Sequence, residues 1–330
     1  MRIISFATKE SEWKVPRMGI ILSSEARDSG ERLDCEKLFA PAERPTNPLA
    51  WFDMDGRWFT TARDTALRLM RDATALAAAR DNGWLVPSGD AYWFAPVPRP
   101  GKVVCIGMNY RDHAREIGLG LPNAPTIFSK FSSCVIAPGE PVVIPPSSAK
   151  VDYEAELAVV IGRRASQVTA DRAYDYVLGY TAFNDVTARD FQFGDGQWQR
   201  AKSCDTFAPM GQTIVTTDEI PDPHSLRISL TVNGTVMQDS NTSQLIFGVP
   251  ELIAFITDSI TLEPGDVIAT GTPAGVGFAR KPPVFLQPGD RMEVSIDRIG
   301  GLENPVIASA ASREQTPQAV GLSGETIPFA

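Results

Sequence analysis

The stretch Val151-Asp152-Tyr153-Glu154-Ala155-Glu156-Leu157-Ala158-Val159-Val160-Ile161 constrains the fold of this chain more than any other. Its β-branched and apolar residues read as a β-strand, closed by Gly162. Side chains on a strand alternate with period two, so Glu154 and Glu156 point to one side, roughly 7 Å apart. Their neighbours on that face are the small apolar residues Ala158 and Val160. Two carboxylates on such a strand are costly if buried unless a cation or a proton offsets them. Either a divalent metal sits there, or the face belongs to a solvated edge strand whose paired acids deter aggregation.

The remainder of the chain reads as a β-rich protein with few helices. With 330 residues there is length for a well-buried core and more than one structural unit. Thr60 to Asn82 keeps helical spacing through Ala66, Leu69, Met70, Ala73, Leu76 and Ala77, and Asn82-Gly83 ends it. Pro96, Pro98, Pro100 and Gly101 punctuate the chain. A boundary there leaves a small N-terminal domain over 1–98. Beyond it, strands are expected over 102–106, 141–144, 177–185, 226–232 and 235–237, the last two joined by an Asn233-Gly234 hairpin turn. Two Pro-Gly-Asp turns, at Pro264 and Pro288, launch strands at Val267 and Met292. One helix interrupts, from Pro250 to Thr257. No regular βαβ series appears, so the expected core is compact and mostly antiparallel rather than doubly wound. Residues 306–330 lack periodicity and read as a mobile extension.

Charge and cysteine usage narrow the function. The net charge of −9 argues against nucleic acid or an anionic membrane as partner. No apolar run approaches transmembrane length. Cys35, Cys105, Cys134 and Cys204 are far apart, which disfavours a zinc ribbon and fits a reducing, cytoplasmic setting. Of the two histidines, His113 and His224, only His113 has a carboxylate three residues on. On one helical turn Glu116 shares its face and can orient the imidazole as a general base. Asp185 ends the Tyr180–Asp185 strand and could join Glu154 and Glu156 as a third oxygen ligand, a set suited to Mg²⁺ or Mn²⁺. Gly271-Thr272-Pro273-Ala274-Gly275-Val276-Gly277 follows a strand and exposes backbone N–H groups that can hold a carboxylate.

Taken in order, Gly107-Met108-Asn109-Tyr110 with Asp112-His113 and Glu116, Asp152 to Leu157, Asn184 to Asp190 with Gln192, Ala201-Lys202-Ser203, and Thr270 to Gly277 resemble the fumarylacetoacetate hydrolase superfamily. The resemblance covers residues 101–305, and Cys204 to Pro209 is similar to its prokaryotic, acylpyruvase-like branch. It implies an α+β, β-rich fold: a mixed β-roll catalytic domain over 99–305 behind a small N-terminal α/β domain, assembled as a homodimer. It implies Mg²⁺ or Mn²⁺ on Glu154, Glu156 and Asp185, and a keto-acid or diketone substrate. His113 with Glu116 would activate a water, Lys202 would stabilise an enolate, and Arg189, Gln192, Thr272 and Tyr110 would contact substrate. Asn109 and Tyr110 are read as part of a lid. The expected reaction is hydrolysis of a C–C bond in a 2,4-dioxo acid. Decarboxylation of an oxaloacetate-like acid, isomerisation or tautomerisation of an unsaturated keto acid on the same metal site, and a catalytically idle metal-binding member are the alternatives.

Overall fold

The Ala155–Ile161 strand lies at the centre of an eleven-stranded mixed sheet, between Val177–Asn184 and Val267–Ala269. That position rules out the solvated edge strand considered from sequence. The run is also not one continuous strand. Val151–Asp152 pairs with Thr187–Ala188 in a separate ladder, and Tyr153 and Glu154 form the break before Ala155. Backbone groups freed at the break find other partners. Glu154 N–H donates to Asn184 Oδ1, Ala155 N–H donates to Gln238 Oε1, and Asp185 N–H donates to the Glu154 carbonyl. Buried N–H and C=O groups need such pairing, so the break is held rather than frayed.

The computed structural model describes residues 1–8, 15–22, 30–87, 89 and 91–310. Every residue of Ala155–Ile161 is buried, because both faces of the sheet are covered. Leu157, Val159 and Ile161 face a core shared with Ile228, Leu230, Met292 and Val294 of a second sheet. That sheet has five strands in the order Thr235–Asn241, Arg227–Val232, Arg291–Ile296, Gly300–Ala308 and Val142–Ile144. Ala158 and Val160 face the opposite core, with Trp51, Phe52, Phe59 and Leu69. Each of these large side chains contributes about 1.5–3 kcal/mol of transfer free energy on burial.

The two stretches of chain on either side of residue 98 therefore share one sheet and one core. Arg2–Thr8 pairs with Ile214–Thr216, joining the first strands of the chain to the sheet that carries the glutamates. Most ladders are antiparallel, as expected. Val267–Ala269 runs parallel to Val103–Gly107, and Gly300–Ala308 runs parallel to Val142–Ile144.

Two expectations need correction. The single helix over 60–82 is two, Arg57–Leu69 and Ala73–Asp81. The Asp72 carboxylate accepts from the N–H groups of Thr74 and Ala75 and starts a new helix, which competes with continuing the old one. Met70, Ala73 and Ala77, counted in the apolar spacing of the expected helix, are exposed. At the other end, the extension expected from residue 306 begins later. Val306, Ile307 and Ala308 pair with Val142, Val143 and Ile144. Residues 311–330 lie outside the described part of the chain.

Candidate active site

The break at Tyr153–Glu154 brings the acidic residues together. Glu154, Glu156 and Asp185 are buried, with one carboxylate oxygen from each lying within 4.8 Å of the others. Three convergent oxygens at this spacing suit a hard divalent cation. The surrounding charges support that fit. Four buried carboxylates, Asp152, Glu154, Glu156 and Asp185, face three buried cations, Lys130, Arg189 and Lys202. Lys202 Nζ donates to Glu154 Oε2 at 2.7 Å and to Asp185 Oδ2 at 2.8 Å. Lys130 Nζ donates to Asp185 Oδ1 at 2.6 Å. Arg189 pairs with Asp152 Oδ2 at 2.8 Å and Glu154 Oε1 at 2.6 Å.

Glu156 is the carboxylate left over. Its one hydrogen bond among the described residues comes from Gly271 N–H at 2.9 Å. Burial first, then the charges of Asp185 and Glu154, push its pKa well above the ordinary carboxylate value. Glu154 goes the other way. Burial raises its pKa, but Lys202 and Arg189 outweigh that and hold it at about 2. Burial disfavours the Lys202 ammonium, yet Asp185 and Glu154 raise its pKa on balance, so the side chain stays charged. A divalent cation beside Glu156 would supply the charge that this carboxylate lacks.

Lys130 carries no periodic or motif signal in the sequence and was missed. It closes the Thr126–Lys130 strand and is fully buried. Removing one partner from a buried ionic cluster leaves the facing charge undercompensated, here Asp185 with Lys202 alone. Lys130→Met is therefore expected to cost about 3–5 kcal/mol in a thermal or denaturant melt. Added Mg²⁺ should recover part of that loss, since Asp185 then has a second cation beside Lys202 again.

The glycine-rich segment after Ala269 does hold carboxylates, but they are the protein's own. Gly271 N–H goes to Glu156, Gly275 N–H to Glu116 Oε1, and Gly277 and Phe278 N–H both go to Asp152. The same loop thus anchors the metal-site acid, the dyad acid and the Arg189 partner. Thr272 lines the cavity, yet its hydroxyl donates to the Ala155 carbonyl and accepts from Gln238. Gln238 is a second positioning residue that sequence reasoning missed. Gly275 has φ +105°, and a Cβ there would lie 2.1 Å from the Met237 carbonyl oxygen. Gly275→Ala should destabilise the protein by about 2 kcal/mol and lower kcat by loosening Glu116. Paired melting and rate measurements would check this.

The short helix Arg111–Glu116 delivers the dyad. His113 Nδ1 lies 2.9 Å from Glu116 Oε2. Glu116 holds the proton on Nδ1, which leaves Nε2 as the nitrogen able to take one. His113 lines the same cavity of about 360 Å³ as Glu154, Glu156, Arg189, Gln192, Lys202 and Thr272. His224 does not. Its Nε2 accepts from Val249 N–H at the start of the Val249–Thr257 helix, and burial pushes its pKa down.

Tyr110, expected to contact substrate, and Asn109, expected with it in a lid, fall elsewhere. Tyr110 is fully buried in the core and does not line the cavity. Asn109 clamps a neighbouring loop, donating to Phe247 and Thr270 carbonyls and accepting from Phe247 N–H, so it is a fixed latch rather than part of a lid.

Comparison with known proteins now places the chain. Residues 102–307 match the family Fumarylacetoacetate (FAA) hydrolase C-terminal, and the chain belongs to that family. It is 41% identical over 309 residues to the mitochondrial oxaloacetate tautomerase of Xenopus laevis, spanning 93% of this chain and 90% of that protein. Among solved structures it resembles 2-hydroxyhepta-2,4-diene-1,7-dioate isomerase from Mycobacterium marinum, with a TM-score of 0.70 and 33% identity over 94% of this chain and 99% of that one. It equally resembles fumarylacetoacetate hydrolase from Exiguobacterium antarcticum, with a TM-score of 0.72 and 33% identity over 94% of this chain and all of that one. These structures share the expected α+β, β-rich fold, and the protein is an enzyme of this family. The Xenopus protein is mitochondrial by name, so it lends no support to the cytoplasmic setting expected from the cysteines. Among the described residues no helix is long and apolar enough to cross a membrane.

Proposed function

We propose that this enzyme interconverts the enol and keto forms of a 2-keto acid, with Mg²⁺ or Mn²⁺ on Glu154, Glu156 and Asp185, acting as a homodimer. The observation that carries the reading is the Glu116-oriented imidazole of His113 in the wall of the cavity that Glu154 and Glu156 of the carboxylate triad also line. When bound, the cation supplies the positive charge that draws electron density from a 2-keto group and so favours enolisation.

The side chains supply the rest. In the enol-to-keto direction the enol hydroxyl loses its proton and C3 gains one, so atoms and charge balance within the substrate. His113 Nε2 is placed to take the enol hydroxyl proton and hand it to C3, and Glu116 steadies the imidazolium that exists between the two transfers. The Lys202 ammonium, buried beside Glu154 and Asp185, offers a fixed positive charge where the oxyanion develops. Gln192 accepts from Arg189 through Oε1, which leaves its amide N–H₂ as a neutral donor toward substrate.

Hydrolysis of a C–C bond, which the dyad favoured from sequence, asks more of His113, because a water must be activated and aimed. Proton transfer alone needs only the dyad. The oxaloacetate tautomerase relative, matched over nearly the whole chain, supports the simpler chemistry. The test is to supply the Mg²⁺-loaded enzyme with an enolised 2-keto acid in D₂O. Enol absorbance, deuterium at C3, released CO₂ and released acid would be followed together. Enol decay and C3 labelling faster than with Mg²⁺ alone, without CO₂ or acid, is expected. Acid or CO₂ release keeping pace with substrate loss would replace the reading by hydrolase or decarboxylase.

A further inference from the structure

We infer that the preferred substrate carries an apolar group, aromatic or branched aliphatic, on C3 of the 2-keto acid, rather than a second carboxylate. This rests on the enolising reading above and adds the chemistry of the far end of the substrate.

The cavity is divided by polarity. One part of its wall is Glu154 and Glu156 with Arg189, Lys202 and His113. The other part is Ile117, Leu119, Phe128, Phe193, Trp198 and Phe278. The rings are arranged in two pairs. Phe193 and Phe278 lie 5.8 Å apart at 67°, and Phe128 and Trp198 lie 5.2 Å apart at 71°. Each pair also covers a cation. The Arg189 guanidinium lies 4.4 Å from the Phe278 ring centroid, and Lys202 Nζ lies 4.9 Å from that of Phe128. Such edge-to-face walls favour another aromatic or aliphatic group and leave an anion desolvated.

A second carboxylate would need a counter-charge, and those in the wall are committed. Arg189 serves Asp152 and Glu154, and Lys202 serves Glu154 and Asp185. The backbone donors of the glycine-rich loop serve Glu156, Glu116 and Asp152. Among the described residues lining the cavity, Gln192 keeps neutral amide donors, and Arg189 Nη2, which makes no hydrogen bond, is held as an ion pair by Glu154 at 2.6 Å. The volume agrees. About 360 Å³ is room for about a dozen waters, more than a four-carbon acid fills. Phe193, 68% exposed at the cavity wall, is the residue that can be changed with least disturbance to the fold.

The experiment compares phenylpyruvate with oxaloacetate as enols, using full-length Mg²⁺-loaded protein. For the wild type, kcat/KM for enol decay should be about tenfold higher with phenylpyruvate. Phe193→Ala should lower that ratio about tenfold, and Phe193→Arg, which brings a cation to the apolar wall, should turn it in favour of oxaloacetate. A wild-type preference for oxaloacetate, with a ratio that neither variant moves, would overturn the inference. If neither acid is turned over, the enolising reading falls and binding decides the present one. Phenylpyruvate raising the Tm of the Mg²⁺-loaded protein at lower concentration than oxaloacetate supports an apolar far end, and the reverse order or equality rejects it.

Discussion

Glu156→Gln should lower kcat about 10³-fold while leaving the metal-free protein at least as stable as the wild type. The first half follows from the triad. Glu156 supplies one of its three buried carboxylates, and loss of the cation's charge from a transition state that develops negative oxygen is worth several kcal/mol. The second half follows from the local charge balance. Glu156 is the acid without a cationic partner, and burial with Asp185 and Glu154 disfavours its anion. Gln keeps the volume and still accepts the Gly271 N–H through its amide oxygen. Melting curves with and without Mg²⁺ would check the pair of claims. At a hundredfold excess over Kd, a bound ion adds about 2.7 kcal/mol to the wild type. The variant should show little of that shift. A variant that still binds Mg²⁺ tightly and turns over at the wild-type rate would remove Glu156 from the metal site.

His113→Ala should lower kcat by about 10²–10⁴-fold and leave Mg²⁺ binding intact. His113 touches Glu116 through Nδ1 and the edge of Phe278, with ring centroids 6.4 Å apart, and no ion pair or hydrogen bond joins its side chain to the triad. Its loss therefore removes the proton carrier without dismantling the carboxylates. It also leaves an imidazole-sized space in the cavity wall, so added imidazole should restore part of the rate. Glu116→Gln should cost less, since the imidazole remains and loses only its orienting anion. The Mg²⁺-induced rise in Tm, measured beside kcat, separates the two roles. A His113→Ala enzyme of undiminished rate would mean that the C3 proton travels by another group. Loss of the Mg²⁺ shift would mean that His113 helps to hold the metal.

The existence of a site was legible in the chain because its main parts are local in sequence. Glu154 and Glu156 are two residues apart where the chain enters the Ala155–Ile161 strand, and His113 and Glu116 are three apart on a helix, so each pair is brought close by local backbone geometry. Strand positions were legible for the same reason: Pro-Gly-Asp and Asn-Gly turns act within a few residues. The helix expected over 60–82 is two because, although its apolar spacing continues across Met70 to Asp72, a single side-chain cap at Asp72 starts a new helix. The glycine-rich loop was recognised as a holder of carboxylates, but its proximity to Glu116 and Asp152 depends on contacts more than a hundred residues apart in the chain.

Readable from the chain alone are the family, the Glu154, Glu156 and Asp185 set of acids, the His113–Glu116 pair and the strand-rich architecture that carries them. Each rests on short-range pattern or on ordered motifs, which need no knowledge of distant contacts. How those groups are charged and what faces them depends on long-range packing. Lys130 is bonded to Asp185 across fifty-five residues, Arg189 and the loop amides turn inward to the protein's own carboxylates, and Tyr110 enters the core. Partner choice of this kind is set by packing of remote segments, and in a buried site it governs which carboxylate is left to take a cation and which wall is left for the substrate.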